Sequence, residues 1–391
     1  MEDNTMKRYF LGFSFLASLM FLVPPAAAVD IKVMTQNQYL GADLAPILAA
    51  TDTNAFNAAI VAALQKVAAN APAERMKALA ADIAKERPAL IGLQEVYAFG
   101  CSGDGCSDPS IAAAFSDHLQ ATLDALNGTY VEKATVVNFK IADVPFFING
   151  VLAFVSVVDR DVILARADVD ATPVDYTAFQ GLGICLKPSG DGCNYSFVLS
   201  ASTPLGPISV ERGFVAVDAT IDDKAYRLVN THLELQQPDP TNPLSQVFQA
   251  AQAAELVQVL QYTTPPGRSL VVLGDMNSSP EHPALSGPLP LPAPFNLGIV
   301  TPYQQFVGAG YTDAWTLRPG MLPGYTCCQL EDLSNQRSTF YERIDMIFSL
   351  DAPGSVKKAR VVGATISDRT PPPGLGLWPS DHGSVMAELQ F

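Results

Sequence analysis

The fold class this chain predicts is α/β (α+β), in one domain over residues 29–391, and three observations carry it. Short apolar runs of strand length alternate with segments of helical period from residue 30 onward. With 48% hydrophobic and 16% charged residues over 391 positions, the chain has enough apolar surface for a large core, which excludes a disordered, collagenous or coiled-coil protein. No solenoid repeat and no long flexible linker divides it, so one domain with loop insertions is favoured over two.

The first segment reads as targeting. Lys7 and Arg8 precede 15 residues from Tyr9 to Val23, then Pro24, Pro25 and Ala26-Ala27-Ala28. That core falls short of the ~20 apolar residues of a membrane span, so residues 1–28 are expected to be a cleaved secretory signal peptide, with an uncleaved anchor as the alternative. A secreted protein with no stable membrane span after cleavage follows from the first reading.

The elements then come in order. Residues 30 to 36, DIKVMTQ, read as a strand. Met76, Leu79 and Ile83 share one face of a helix from Glu74 to Arg87, which Pro88 stops. The buried strand ALIGLQE follows directly. Residues 134 to 166 are so rich in β-branched and aromatic side chains that they read as core strands, a membrane-touching hairpin being the alternative. Two strands within 210 to 233 flank the turn Asp222-Asp223-Lys224. Positions 247, 250, 254, 257 and 260 make an amphipathic helix, and SLVVLGD is the next strand. Pro-rich loops fall at 284 to 294 and 371 to 373.

Six cysteines without zinc-type spacing favour disulfides in an exported chain. Cys101 with Cys106 and Cys185 with Cys193 each bracket a Ser-Gly-Asp-Gly turn, so local bridges are expected before a cross-link between the loops. A bridge between adjacent Cys327 and Cys328 would be strained, which leaves their partners open. Calcium binding by the Asp-Gly loops is set below a plain turn, because the ligand spacing is wrong.

Twenty-four basic against 39 acidic residues give 24 − 39 = −15, a field that repels polyanions and argues against a broad nucleic-acid-binding face. A nuclease is not excluded. Local positive charge at a scissile phosphate can come from a bound divalent cation.

Chemistry-bearing side chains sit at the ends of the apolar runs. Asn37 follows IKVMTQ, Glu95 follows ALIGLQ, His232 follows YRLVNT, and Asp275 with Asn277 follows SLVVLG. Asp345 lies within RIDMIF, and Asp381-His382 precedes the last run. Any one of these has a plain reading as strand-end polarity. His118, in a probable helix, and His282, after Pro280 in a loop, are read as ordinary surface or satisfied histidines.

The segments TQNQYLG, LIGLQEV, NTHLE, GDMN, RIDMIF and SDH, in this order, resemble the endonuclease/exonuclease/phosphatase superfamily, which includes deoxyribonuclease I-like nucleases, neutral sphingomyelinases and inositol polyphosphate 5-phosphatases. The resemblance implies a four-layer sandwich of two mainly antiparallel β-sheets flanked by helices, deoxyribonuclease I-like, with the site where loops converge at one sheet edge. It implies Glu95 as the principal metal carboxylate, Asn37 as a further ligand or its hydrogen-bond partner, and Asp381 on the same ion. Hard oxygen ligands of this kind suit Mg2+, or Mn2+ or Ca2+ in its place. His382 is implied as the catalytic imidazole, acting as base or phosphate ligand, with Asp345 orienting it. His232 is implied as phosphate ligand or general acid, and Asp275 with Asn277 as orienting the nucleophile and binding phosphate, their two-residue spacing pointing both side chains the same way if the backbone is extended. Tyr325-Thr326 matches a phosphate-approaching segment loosely, and Asn230, Glu234 and Arg343 read as support or as local hydrogen bonding.

The function expected is an exported, metal-dependent phosphodiesterase. A nucleic-acid substrate stands first and a phospholipid head group second. Inositol phosphates stand third, for want of a Lys/Arg cluster. An exported binding module that has lost catalysis is the non-enzyme alternative.

Overall fold

A computed structural model describes residues 30–236, 243–289, 291–318, 320, 322–351, 353–371 and 376–391. The expected signal peptide at 1–28 lies outside the described residues, as do position 290 and positions 372–373 of the Pro-rich loops.

In chain order the strands of the two large sheets are β1 (Asp30–Asn37), β2 (Leu90–Gln94), β3 (Ala98–Ser102), β4 (Tyr130–Ile148), β5 (Val151–Arg166), β6 (Asp170–Pro173), β7 (Lys187–Pro188), β8 (Gly192–Asn194), β9 (Gly213–Ile221), β10 (Lys224–His232), β11 (Ser269–Asp275), β12 (Thr312–Asp313), β13 (Asp345–Ser349), β14 (Ser355–Val362) and β15 (Ser384–Gln390). The longer helices are α1 (Thr53–Ala69), α2 (Pro72–Glu86), α3 (His118–Leu126) and α4 (Leu244–Thr263). Among the described residues one sheet runs β14-β15-β1-β2-β5-β3 with β4 on β5, and the other β12-β13-β11-β10-β9-β8-β7 with β6 on β9. Parallel pairing is confined to β1 with β2 and β10 with β11, so both sheets are mainly antiparallel, as expected.

Side-chain alternation with period two makes the layers. Ile163 and Ala165 of β5 face Val217, Leu228 and Leu273 of the other sheet, whereas Val162 and Leu164 face the helix side with Met76 and Ile83 of α2. On the second sheet Leu270 and Val272 turn outward to Leu256 and Val259 of α4. Helix, sheet, sheet and helix thus stack as four layers. Gly92 permits close approach of the sheets, because a Cβ there would run into the side chains of Leu273 and Asn230. Asn230 in turn donates from Nδ2 to the carbonyls of Leu93 (2.8 Å) and Val162 (3.1 Å), stapling β10 across to the opposite sheet.

Turn chemistry fixes the registers. Asp222 and Asp223, at φ 48° and 64°, close the β9–β10 hairpin so that Ile221 pairs Lys224, the left-handed conformation a two-residue hairpin turn demands. Asn149-Gly150 does the same between β4 and β5. The proximal half of that hairpin enters the intersheet core, while its distal half lies on α1 and leaves Phe147, Val151 and Leu152 exposed at the tip. The segment therefore meets the core-strand expectation at its base only. Helix α1 has no counterpart in the sequence reading, although Asp52 caps it by accepting from the Asn54 and Ala55 N–H groups.

Between α1 and the distal hairpin lies an apolar cavity of about 100 Å³. Cys101–Cys106 and Cys185–Cys193 are bridged locally as expected, and Cys327 is bridged to Cys328, which answers the open pairing. No helix among the described residues is long and apolar enough to cross a membrane.

Candidate active site

Register alone brings three chemistry-bearing residues side by side. His232 pairs Asp275 across the parallel β10–β11 ladder, and Asp275 pairs Asp345 across the antiparallel β11–β13 ladder. On the other sheet Asn37 pairs Gln94 at the ends of β1 and β2, which places Glu95 one residue beyond. These strand ends meet at one edge of the sandwich. A cleft of about 700 Å³ opens there, lined by Glu95, His232, Asp275, Asn277, Asp381 and His382 among others.

Backbone strain sits at this edge. Glu95 (φ 53°) and Asn277 (φ 46°) both occupy the left-handed region, which ordinary side chains avoid unless neighbours hold them there. The extended-backbone argument for Asp275 and Asn277 is thereby corrected. The chain turns at Asn277, and a hydrogen bond from its N–H to Asp275 Oδ1 (2.9 Å) closes the turn. Gly274 precedes them at φ 146°, where a Cβ would strike the Thr231 carbonyl oxygen.

Asn37 Nδ2 donates to Glu95 Oε1 and to Asp275 Oδ2, both at 3.1 Å, and its Oδ1 accepts from Tyr39 N–H (2.9 Å). Of the two roles expected for Asn37, hydrogen-bond partner is the one this geometry fits; its oxygen is already engaged. Leu40 N–H supports the other Glu95 oxygen at 2.8 Å. Burial, together with the nearby Glu95 charge, raises the Asp381 carboxyl to about 6. Asp381 and Glu95 offer oxygen donors on one cleft, a set a hard divalent cation fits, since oxygen is its preferred ligand and its charge offsets theirs.

His382 Nδ1 lies 2.9 Å from Asp345 Oδ2 and 3.8 Å from Asp275 Oδ2. Burial works against the charged imidazole, yet Asp345, Asp381 and Asp275 outweigh it and hold His382 well above its ordinary range. Thr326 Oγ1 accepts from Ile344 and Asp345 N–H (3.3 and 3.2 Å), which fixes the strand end carrying Asp345 and gives the loosely matched Thr326 a supporting place. Asp275, raised to about 7 by burial and then by Asp345, shares this cluster, whose ligand atoms all lie within 4.8 Å of one another.

His232 is in the opposite state. Burial and then the Arg212 charge drive it well below its ordinary range, so it is neutral. Arg212 Nη1 lies 2.9 Å from His232 Nδ1, and a guanidinium only donates; Nδ1 therefore accepts and the proton resides on Nε2, 3.5 Å from Asp275 Oδ2. A neutral Nε2–H can hydrogen-bond a phosphate or leaving oxygen, but it is not a ready proton source. Asn277 Nδ2 donates to the Leu233 carbonyl (3.0 Å) and lies beside, without hydrogen-bonding, the protonated Nε2 at 3.1 Å.

Arg212 escaped the sequence reading. Its signal was present, because the hairpin register set by Asp222-Asp223 pairs Phe214 with Thr231 and so carries Arg212 alongside His232. His282 is a satisfied histidine, as expected, though its place in the cleft was not foreseen. It lines the same cleft, accepts from Ser279 N–H at Nδ1 (3.2 Å) and pairs through Nε2 with Glu342. His118 is neither surface nor charged; burial, with Arg75 and Arg160 nearby, lowers it to about 3. Arg343 belongs to structure, through a 2.7 Å ion pair with Asp313, and Glu234 lies 3.8 Å from Arg212. Buried Arg75 donates to the carbonyls of Asn70, Gln38, Pro379 and Tyr39 at 2.9 to 3.1 Å, tying the loops that carry Asn37 and Asp381.

Residues 53–382 match the model of a family described as Endonuclease/Exonuclease/phosphatase family. Every site residue except Asn37 falls inside that span. Among solved structures, truncated TDP2 of Caenorhabditis elegans is 15% identical at TM-score 0.46, covering 93% of this chain and 98% of that one. An endonuclease/exonuclease/phosphatase family protein from Bacteroides thetaiotaomicron is 14% identical at TM-score 0.48, covering 93% and 98%. The human Nocturnin catalytic domain with bound sulfate is 16% identical at TM-score 0.46, covering 92% of each chain. No curated protein sequence matches.

Proposed function

The chain belongs to the endonuclease/exonuclease/phosphatase family, whose members are nucleases and phosphatases, and from that premise we propose that it is an exported, Mg2+-dependent phosphodiesterase. The observation that carries the reading is the pair of histidines held in opposite states over one cleft, a charged His382 on Asp345 and a neutral His232 on Arg212. Glu95 and Asp381 would hold the ion. When bound, it supplies positive charge to the non-bridging and leaving oxygens of the phosphate and offsets the two carboxylates. His382, oriented through Nδ1 by Asp345, turns Nε2 to the substrate, where it donates to phosphate when charged and accepts a proton from the attacking water once deprotonated. His232 Nε2–H and the Asn277 amide bind phosphate oxygens, and Asp275 orients the water.

Nuclease-like action on nucleic acid is the first substrate reading, supported by the family's membership. A phospholipid head group is the second, and two observations favour it. Arg212 is the one Lys or Arg lining the cleft among the described residues, thin cover for a long polyanion. An apolar cavity also adjoins the segments that carry Glu95. Export is supported by the amino-terminal sequence and by three disulfides. Hydrolysis of bis(p-nitrophenyl) phosphate with and without Mg2+ tests the chemistry. Glu95→Ala and His382→Ala should each lose at least a hundredfold in kcat while folding normally, and full turnover in both overturns the assignment.

A further inference from the structure

We propose that the cavity between α1 and the β4–β5 hairpin binds the hydrocarbon chain of an amphiphile, so that the phosphoester this enzyme cleaves carries an apolar tail. The tail site stands on its own geometry; its link to a phosphodiester head rests on the function proposed above.

The walls decide the ligand's class. Leu40, Phe56, Ile60, Tyr97, Phe139 and Val155 are representative, and no charged side chain lines the cavity among the described residues. A space of about 100 Å³ with such walls, partly open to solvent, takes in the end of an alkyl chain in preference to a polar group, the rest of the chain leaving by the open side. It is too small for a docked helix, which needs an extended groove. Covering these apolar walls with an alkyl chain removes them from water, which is the driving force for binding.

Position decides the connection. Leu40, whose N–H supports Glu95, and Tyr97, two residues beyond Glu95, both line the cavity. Val210 lines it as well, two residues before Arg212 of the cleft. Two chain segments, Glu95–Tyr97 and Val210–Arg212, thus present polar groups to the cleft and apolar ones to the cavity, and a third reaches Glu95 through the Leu40 N–H. Part-exposed Ile47 and Ile208 stand at its rim. The hairpin that forms its far wall ends in exposed Phe147 (55%), Val151 (43%) and Leu152 (40%). An apolar tip on such a wall suits contact with the surface from which an amphiphile comes.

The test uses 1-decanol, a chain without phosphate, titrated calorimetrically into the full protein in chelator. One site is expected. Ala63→Phe, which fills the cavity from α1, and Ile208→Asp, which places charge at the rim, should each weaken it at least tenfold; the exposed rim position tolerates charge if the interior variant fails to fold. The ratio of kcat/KM for dodecyl over methyl p-nitrophenyl phosphate should fall at least tenfold in Ala63→Phe. Absence of decanol binding overturns the proposal even where both esters are hydrolysed, whereas binding without hydrolysis supports the tail site and rejects the phosphodiesterase reading. A concentration-dependent dimer lost in Ile208→Asp, with no decanol bound, assigns the surface to a second copy and also overturns it.

Discussion

Asp345 decides what His382 can do, and nothing else at this site is so cheaply tested. Its Oδ2 accepts a hydrogen bond from Nδ1–H, and an amide in its place can donate its own N–H to the ring instead, inverting the tautomer. Asp345→Asn should therefore lower kcat by roughly 10²- to 10⁴-fold with KM little changed, read by steady-state kinetics beside a melting curve that shows the fold intact. Arg212 is a different case. Buried against His232, with the charges of Glu234 and Asp159 facing it, it is held well above its ordinary range despite its burial. Arg212→Met strands those acids without a cation, and we expect about 3 kcal/mol of lost stability in denaturant unfolding. Freed of its donor, His232 should also titrate nearer its ordinary range, visible in its ring proton shifts. These two residues mark how far the site was legible. Asp345 and His382 stand where apolar runs end, a local pattern; Arg212, His282 and Glu342 gain their places from tertiary pairing, and in the chain they look like any surface polar residue.

Elements were legible in proportion to their periodicity. Helix α2 emerges from its residue pattern because one face is buried against a partner, and strand β11 from its continuous apolar run because both of its faces are buried. Helix α1 was missed because its alanine-rich sequence spreads apolar residues around the axis, leaving Phe56, Ile60, Leu64 and Val67 as a buried stripe visible only once the hairpin lies on it. The stretch from residue 134 to 166 looked unusually apolar for a related reason, since the base of β4 and β5 enters the intersheet core and their distal half lies on α1. Gly92 shows how finely the sheets are matched. A methyl group there would meet Leu273 and Asn230, the residue that staples the sheets. Gly92→Ala should cost about 1 to 3 kcal/mol in denaturant unfolding and lower kcat as the strand end carrying Glu95 shifts; a stability equal to the parent's rejects that account of the packing.

The whole molecule carries acids in places where charge is expensive. Burial raises Asp82, Asp159 and Asp275 to about 7 and Asp381 to about 6, and lifts Asp161 well above its ordinary range. Each folded value exceeds the unfolded one, so each acid's contribution is full below about pH 4 and is lost as pH rises, through 6 to 7 for Asp82, Asp159, Asp275 and Asp381. His118 and His232 work the other way, being neutral in the fold, with stability present above about 6.5 and lost below it. Five acids outnumber two histidines, and His382, held above its ordinary range, sides with the acids. In chelator the protein should therefore melt at a lower temperature at pH 8 than at pH 5, and the net charge of −15 pushes the same way. A divalent cation reverses the penalty only where it neutralises ionised carboxylates. Added Mg2+ should then raise the melting temperature more at pH 8 than at pH 5, the gain approaching about 2.7 kcal/mol at a hundredfold excess over its dissociation constant. Glu95→Ala should remove that gain. Asp161, buried on β5 with neither carboxyl oxygen hydrogen-bonded, separates the two effects: Asp161→Asn should flatten the chelator slope and keep the Mg2+ response. A melting temperature that climbs from pH 5 to pH 8 without metal would show that the buried acids are ionised and paired in solution, and the cost assigned to them here would be wrong.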